Sequence, residues 1–257
     1  EESNQEESKQ KEKLMASTTK RIAMWACPRT VSTALLRSFC QHSQVVGVDE
    51  PLYAYYLKRS GKLHPMRGEV MASQAQSVAA VVDGVLRAEC DKPVQYVKHM
   101  AHHLFGDEDL SFIDDDDTTH AFLIRHPREM LPSLLSDLGQ LERIDIAYGQ
   151  QLQLFERLLE QGKRPVVVES TKLLANPHAM LPRLCAALDI EFEEQMMHWP
   201  VGSHSSYGVW APAWYDKVMK TSGWNAHVPK VGELPSELEE LFEFALPAYE
   251  RLLEYSL

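Results

Sequence analysis

A chain of 257 residues fits one α/β domain or at most two small ones, and a composition of 44% hydrophobic and 25% charged residues suits a globular core. The net charge of −11 argues against non-specific nucleic-acid binding, which needs a positive field facing the phosphates, but not against a small anion held by local donors. The four cysteines, Cys27, Cys40, Cys90 and Cys185, form no C-x-x-C pair, which favours reduced thiols in the cytoplasm over a zinc site or disulfides, and no apolar run reaches the length of a membrane span.

Residues 1–19 are charged, polar and aperiodic, and read as a disordered tail, with Met15 a candidate start; residues 20–257 read as the folded domain. Arg21 opens a short apolar strand that runs into a polar turn, Cys27–Thr33, and then a helix. Val45–Pro51 is a second strand ending in an acidic turn, and Glu69–Glu89 has the apolar spacing of one long helix. Strands follow at Val94–His99, Ala121–Arg125 and Pro165–Glu169. Helices are predicted after Arg125, over Asp145–Gln161, Pro177–Leu188 and Ser236–Tyr255, the last kinked or interrupted at Pro247. Short apolar strands alternating with helices predict a three-layer α/β domain, a parallel sheet flanked by helices. In such sheets ligands sit beyond the carboxyl ends of the strands, where Thr30–Thr33, Glu50, Lys98–His99, Arg125 and Ser170 all fall.

The turn at Cys27–Thr33 has the chemistry of an anion site. A helix N-terminus offers unpaired N–H groups and a favourable dipole, Arg29 adds a planar cation, and Thr30, Ser32 and Thr33 add hydroxyls. It is not a Walker A loop, because G-x-x-x-x-G-K-[ST] is absent and no glycine lies between Arg21 and Phe39. A phosphorylated nucleotide other than ATP or GTP bound in the usual way is the expected ligand. Cys27 in this loop reads as a small buried residue more than as a catalytic thiol. The His102–His103 pair reads as a solvated turn, Asp114–Asp117 as a solvated loop, and Trp210, Trp214 and Tyr215 as either core or acceptor pocket; no metal is expected.

Three stretches, C-P-R-T-V-S-T at Cys27–Thr33, F-L-I-R-H-P-R-E-M-L-P-S ending at Ser133, and V-V-V-E-S-T-K-L-L-A-N-P from Val166, together resemble the signature segments of sulfotransferases. That family uses 3′-phosphoadenosine 5′-phosphosulfate (PAPS) and releases adenosine 3′,5′-bisphosphate. The resemblance covers most of residues 21–190 and implies a P-loop-like sulfotransferase fold. It implies that Arg29, Thr30, Val31, Ser32 and Thr33 form the 5′-phosphosulfate loop, with Val31 where glycine is common, so that the loop backbone is expected to wrap less tightly. It also implies that Arg125 and Ser133, eight apart, hold the 3′-phosphate. The C-terminal R-K-G-x-x-G-x-W-K stretch of cytosolic sulfotransferases is not recognisable; Thr221–Trp224, flanked by Lys217, Lys220 and Lys230, is the nearest segment.

Sulfuryl transfer should depend on positioning and charge stabilisation, as phosphoryl transfer does. Arg29 and Lys98 are the candidates for stabilising charge. Glu50 matches the acid used as base in carbohydrate-type members and is ranked just ahead of His99, which lies one residue out of register with the histidine base of cytosolic members; His102 or His103 is a further choice. The expected protein is a PAPS-dependent transferase acting on a hydroxyl or amine of a small acceptor. A kinase-like P-loop enzyme and a non-catalytic nucleotide-binding module are the rivals. The aromatic residues at Tyr207–Tyr215, with the acidic balance, suit a cationic acceptor.

Overall fold

The structure, a computed structural model, describes residues 19–225 and 232–257. Residues 1–18 of the tail and Lys230 therefore lie outside the described residues. Five strands, β1 (Lys20–Ala26), β2 (Val45–Asp49), β3 (Val94–Met100), β4 (Thr118–Ile124) and β5 (Val166–Glu169), form one parallel sheet in the order β2-β3-β1-β4-β5. Each strand sits within a few residues of its predicted place, because a short apolar run bounded by polar turns has few other ways to be buried on both faces. The strand order reverses between β1 and β4, which opens a crevice at their carboxyl ends.

Alternation along β1 builds the two halves of the core. Ala23 and Trp25 pack on one face with Phe122 and Phe155, while Ile22, Met24 and Ala26 pack on the other with Tyr96 and Leu123. The first face is covered by α5 (Pro127–Leu138), α6 (Tyr148–Glu160) and α11 (Glu239–Leu253), and the second by α1 (Ser32–Phe39) and α8 (Pro177–Ala187), in the numbering that follows. The helix α11 continues through Pro247, so of the kink or interruption expected there the interruption does not occur.

A third apolar cluster joins α2 (Tyr53–Ser60) and α3 (Arg67–Ser73) to α9 (Ala211–Trp214) through Tyr53, Tyr56, Val70 and Trp210. Trp210 is thus core, and Tyr215 belongs to the same cluster. The helix predicted over Glu69–Glu89 is not continuous. It comprises α3, then α4 (Val78–Val81), which runs into a π-helical turn at Val82–Leu86. The break has a local cause: Gln74 is extended, and its side chain accepts from Ala54 N at 3.0 Å and donates to Glu50 O at 3.0 Å. Ser77 then caps α4 by accepting from Ala80 N. Apolar spacing does not register such a bridge, yet this one holds the backbone of Glu50 in place.

The Asp114–Asp117 run is tied down by cations. Arg157 pairs with Asp114, Arg87 with Asp115 and Arg21 with Asp117, and Lys163 donates to the carbonyls of residues 113–115. Among the described residues no group of side chains is arranged to hold a metal ion, and no helix is long and apolar enough to cross a membrane.

Candidate active site

The turn after β1 leads straight to the N-terminus of α1. Arg29 and Val31 both take left-handed backbone conformations, with φ of 61° and 60°. For β-branched Val31 this is a strained choice. The loop therefore wraps as a glycine would allow, contrary to the looser turn expected from valine. Val31 provides no side-chain cap, and the first turn of α1 carries no acidic residue. Its N–H groups are left for an outside acceptor. The Thr30 hydroxyl does not serve that purpose, because it is buried and donates to Cys27 O at 2.7 Å. Cys27 donates to Gln151 Oε1 at 3.1 Å, and burial pushes its thiol pKa well up, so it is a packing residue.

Arg29 reaches across to α5, where Nε donates to Ser133 Oγ at 3.0 Å and NH1 pairs with Asp137 at 3.2 Å. Arg125, just past β4, donates from NH1 to Arg29 O at 2.8 Å and pairs with Glu129 at 2.9 Å. The hydroxyl of Tyr148 donates to Arg125 O. Arg29, Arg125 and Ser133 are thus brought together and brace one another. Ser170, by contrast, donates to Ile124 O at 2.8 Å and fastens α7 (Ser170–Ala175) to β4.

Lys98 is the centre of a buried polar network. Its ammonium, 1% exposed, shares three N–H donors among four oxygens within reach, Glu50 Oε1 at 2.7 Å, Tyr215 Oη at 2.7 Å, Asp49 Oδ1 at 3.0 Å and Thr33 Oγ1 at 3.1 Å. Burial alone would lower the Lys98 pKa, but the carboxylates of Asp49 and Glu50 outweigh it and hold the ammonium above its ordinary value. Burial raises the Asp49 pKa, against the pull of Lys98. The Tyr215 hydroxyl donates toward Asp49 and Glu50 and accepts from Trp210 Nε1 at 2.9 Å. Glu50 itself sits at φ 41° with one carboxylate oxygen fixed by Lys98. Three non-glycine residues in left-handed backbone thus flank this site.

The network floors a cleft of about 130 Å³ lined by Ser32, Thr33, Glu50, Lys98 and Arg29 on one side and by Tyr53, Tyr56, His64, His103 and Trp214 on the other. It opens past His64 and Trp214 into a mouth of about 710 Å³. His99 is not part of it. Alternation along β3 sends His99 to the opposite face, where it stacks on Trp25 at 4.2 Å; burial lowers its pKa to about 3. The base proposed at His99 is therefore misplaced. His102 and His103 do reach the cleft, buried in a 3₁₀ turn (Ala101–His103) rather than on a solvated one. His103 stacks against both Tyr53 and Tyr56 at 5.1 and 5.0 Å, its Nε2 lies 3.7 Å from Glu50 Oε2, and neither ring nitrogen has a hydrogen-bond partner among the described residues. Burial keeps both rings neutral, their pKa values well below the usual histidine range.

A family model described as a sulfotransferase domain matches residues 20–254. The chain belongs to the sulfotransferase domain family. It is 32% and 30% identical over 229 residues to branched-chain-amino-acid aminotransferase-like proteins 1 and 2 of Arabidopsis thaliana, with 89% of this chain aligned. The chain spans 40% of the length of each of those relatives. Among solved structures, the sulfotransferase domain from the curacin biosynthetic pathway superposes with a TM-score of 0.51 at 18% identity, covering 94% of this chain and 100% of that one. A sulfotransferase from Alicyclobacillus acidocaldarius gives 0.50 at 12% identity, covering 91% and 94%. At those identities the likeness establishes the fold, and it agrees with the five-stranded parallel sheet.

Within this sulfotransferase domain the Thr221–Trp224 segment does not line the cleft. Trp199 Nε1 donates to Thr221 Oγ1, and Trp224 Nε1 donates to Met196 O, so the segment packs on residues 196–199. Sequence reasoning did not assign roles to Asp49, Asp137, Tyr53, Tyr56 or His64. The acid pair at the end of β2 was a usable signal for Asp49; nothing local announced that Tyr215 would meet Lys98 across 117 positions.

Proposed function

We propose that this domain transfers a sulfuryl group from 3′-phosphoadenosine 5′-phosphosulfate to a hydroxyl or amine of a small acceptor. The observation that carries the reading is the uncapped N-terminus of α1, with Arg29, Ser32, Thr33 and Lys98 around one cleft and Arg125 tied to the same loop. This donor set fits an oxyanion: unpaired N–H groups, hydroxyls and fixed cations, with no carboxylate in the first turn. Ser32, Thr33 and the α1 N–H groups would hold the 5′ end of the nucleotide, and Arg125 with Ser133 the 3′-phosphate. The nucleotide supplies an activated sulfuryl group on an anionic leaving group.

The chain's own residues account for the rest of the chemistry. Glu50 Oε1 is anchored by Lys98 and Tyr215, leaving Oε2 turned toward His103 as the proton acceptor for an attacking hydroxyl or amine. Lys98, one bond from Thr33, places positive charge beside the loop where charge develops. His103 offers one N–H and one bare nitrogen to orient the acceptor, and Tyr53, Tyr56, Trp214 and Leu134 exclude water. A cleft of about 130 Å³ suits the reacting part of a small acceptor. We take the site of action to be the cytoplasm.

The test is transfer of ³⁵S from labelled donor to a panel of small alcohols, phenols and amines. Wild type should label at least one class, and Glu50→Gln should lose roughly 100-fold or more of the rate while still binding adenosine 3′,5′-bisphosphate. Full activity in Glu50→Gln would remove Glu50 as the base. Consumption of ATP with no labelled product would replace the reading with a kinase-like one.

A further inference from the structure

Helix α5 carries Glu129, Ser133 and Asp137 at four-residue intervals, so all three lie on one face. That face meets the two arginines of the donor site. Arg125 donates from Nε and NH2 to Glu129 Oε2 at 3.2 and 2.9 Å, Arg29 Nε donates to Ser133 Oγ at 3.0 Å, and Arg29 NH1 pairs with Asp137 Oδ2 at 3.2 Å. Asp137 stands in the last turn of α5, where the helix dipole opposes a negative charge. Helix stability therefore does not call for an acid there; the partner is Arg29. Asp137 also lines both the cleft and its mouth, so its carboxylate stands where a ligand reaching Arg29 must pass.

We propose that Asp137 and Glu129 are resident counter-anions of the two halves of the donor site, positioning residues that hold Arg29 and Arg125 in the free protein and yield them to the nucleotide. The inference rests on the donor reading above. A guanidinium offers five N–H donors in a fixed fork. One donor of Arg125 is spent on Arg29 O, which keeps the loop and the β4 end together whether or not ligand is bound. The donors facing Glu129 and Asp137 are the ones an oxyanion would take over, so each carboxylate competes with one anionic group of the ligand. Asp137 competes at the 5′ end and Glu129 at the 3′ end. The ladder thus sets how strongly each end of the nucleotide is held, because each arginine must exchange a carboxylate contact for one to the ligand.

Calorimetric titration of wild type, Asp137→Asn and Glu129→Gln with adenosine 3′,5′-bisphosphate and with adenosine 5′-monophosphate tests this. Asp137→Asn should tighten both nucleotides by the same factor, about fivefold for a part-exposed ion pair. Glu129→Gln should tighten the bisphosphate by a similar factor and leave the monophosphate unchanged. A purely structural role would weaken both ligands together. That result, or an equal effect of Glu129→Gln on both nucleotides, overturns the proposal while leaving the donor reading intact. Wild type that binds neither nucleotide overturns the donor reading and this inference with it.

Discussion

Replacing Lys98 by methionine keeps the length of the side chain and removes the ammonium from between two carboxylates. Asp49 and Glu50 are 5% and 9% exposed, and Lys98 contacts both. Removing one partner of a buried ion pair costs about 3–5 kcal/mol, because the charge left behind stays desolvated. For a domain of this size that corresponds to a fall of about 10 °C in Tm. The loss carries a pH signature whose sign follows from the residues. Burial and Glu50 raise the Asp49 pKa while Lys98 lowers it, so without Lys98 the folded protein binds that proton still more tightly than the unfolded chain. A carboxylate with a raised folded pKa favours folding at low pH and loses that contribution as pH climbs through the folded value. The stability deficit of Lys98→Met relative to wild type should therefore shrink between pH 8 and pH 5. Urea unfolding followed by tryptophan fluorescence at the two pH values measures it. A deficit under about 1 kcal/mol, or one equal at both pH values, would refute a buried triad whose charge balance rests on Lys98.

Two further substitutions separate stability from function. His103→Leu removes two buried ring nitrogens that lack partners among the described residues, so stability should hold or rise by about 1 kcal/mol while sulfuryl transfer falls; chemical denaturation beside the ³⁵S assay checks both, and loss of stability above about 1 kcal/mol would show that the ring is a packing element first. Val31→Gly releases a left-handed β-branched residue, worth about 1–2 kcal/mol, against a glycine entropy cost of about 0.5–1 kcal/mol, so Tm should rise slightly. A fall in Tm would mean that the valine side chain stabilises the loop in another way.

The parts of this protein that were legible in sequence are those governed by local pattern. The five strands follow from apolar runs with polar ends, and the turn at Cys27–Thr33 shows its hydroxyls and arginine directly. Lys98 and Glu50 were visible as polar residues at strand ends, and they meet at 2.7 Å because Asp49, the last residue of β2, pairs in register with Lys98 of β3. Local pattern does not reveal what a side chain does once folded. Thr30 has the same hydroxyl as Thr33, yet Thr30 turns back to Cys27 O while Thr33 meets Lys98. His99 follows Lys98 directly, and that single step carries it to the far face of the sheet. The discontinuity at Gln74 arises from contacts with residues 20 and 24 positions away, and Tyr215 comes from the opposite end of the chain. Asp137 and Glu129 look like ordinary surface acids until the arginines opposite them are seen.

Sulfuryl transfer as proposed requires one site on this domain to accept an adenosine nucleotide through both its 5′ and 3′ anionic groups. Isothermal titration calorimetry with adenosine 3′,5′-bisphosphate, set against adenosine 5′-monophosphate and ATP with magnesium, tests it most directly. Micromolar binding that depends on the 3′-phosphate and is lost in Arg125→Ala is the expected result. Equal binding of the mono- and bisphosphate, a preference for ATP with magnesium, or no binding to any of the three would contradict it.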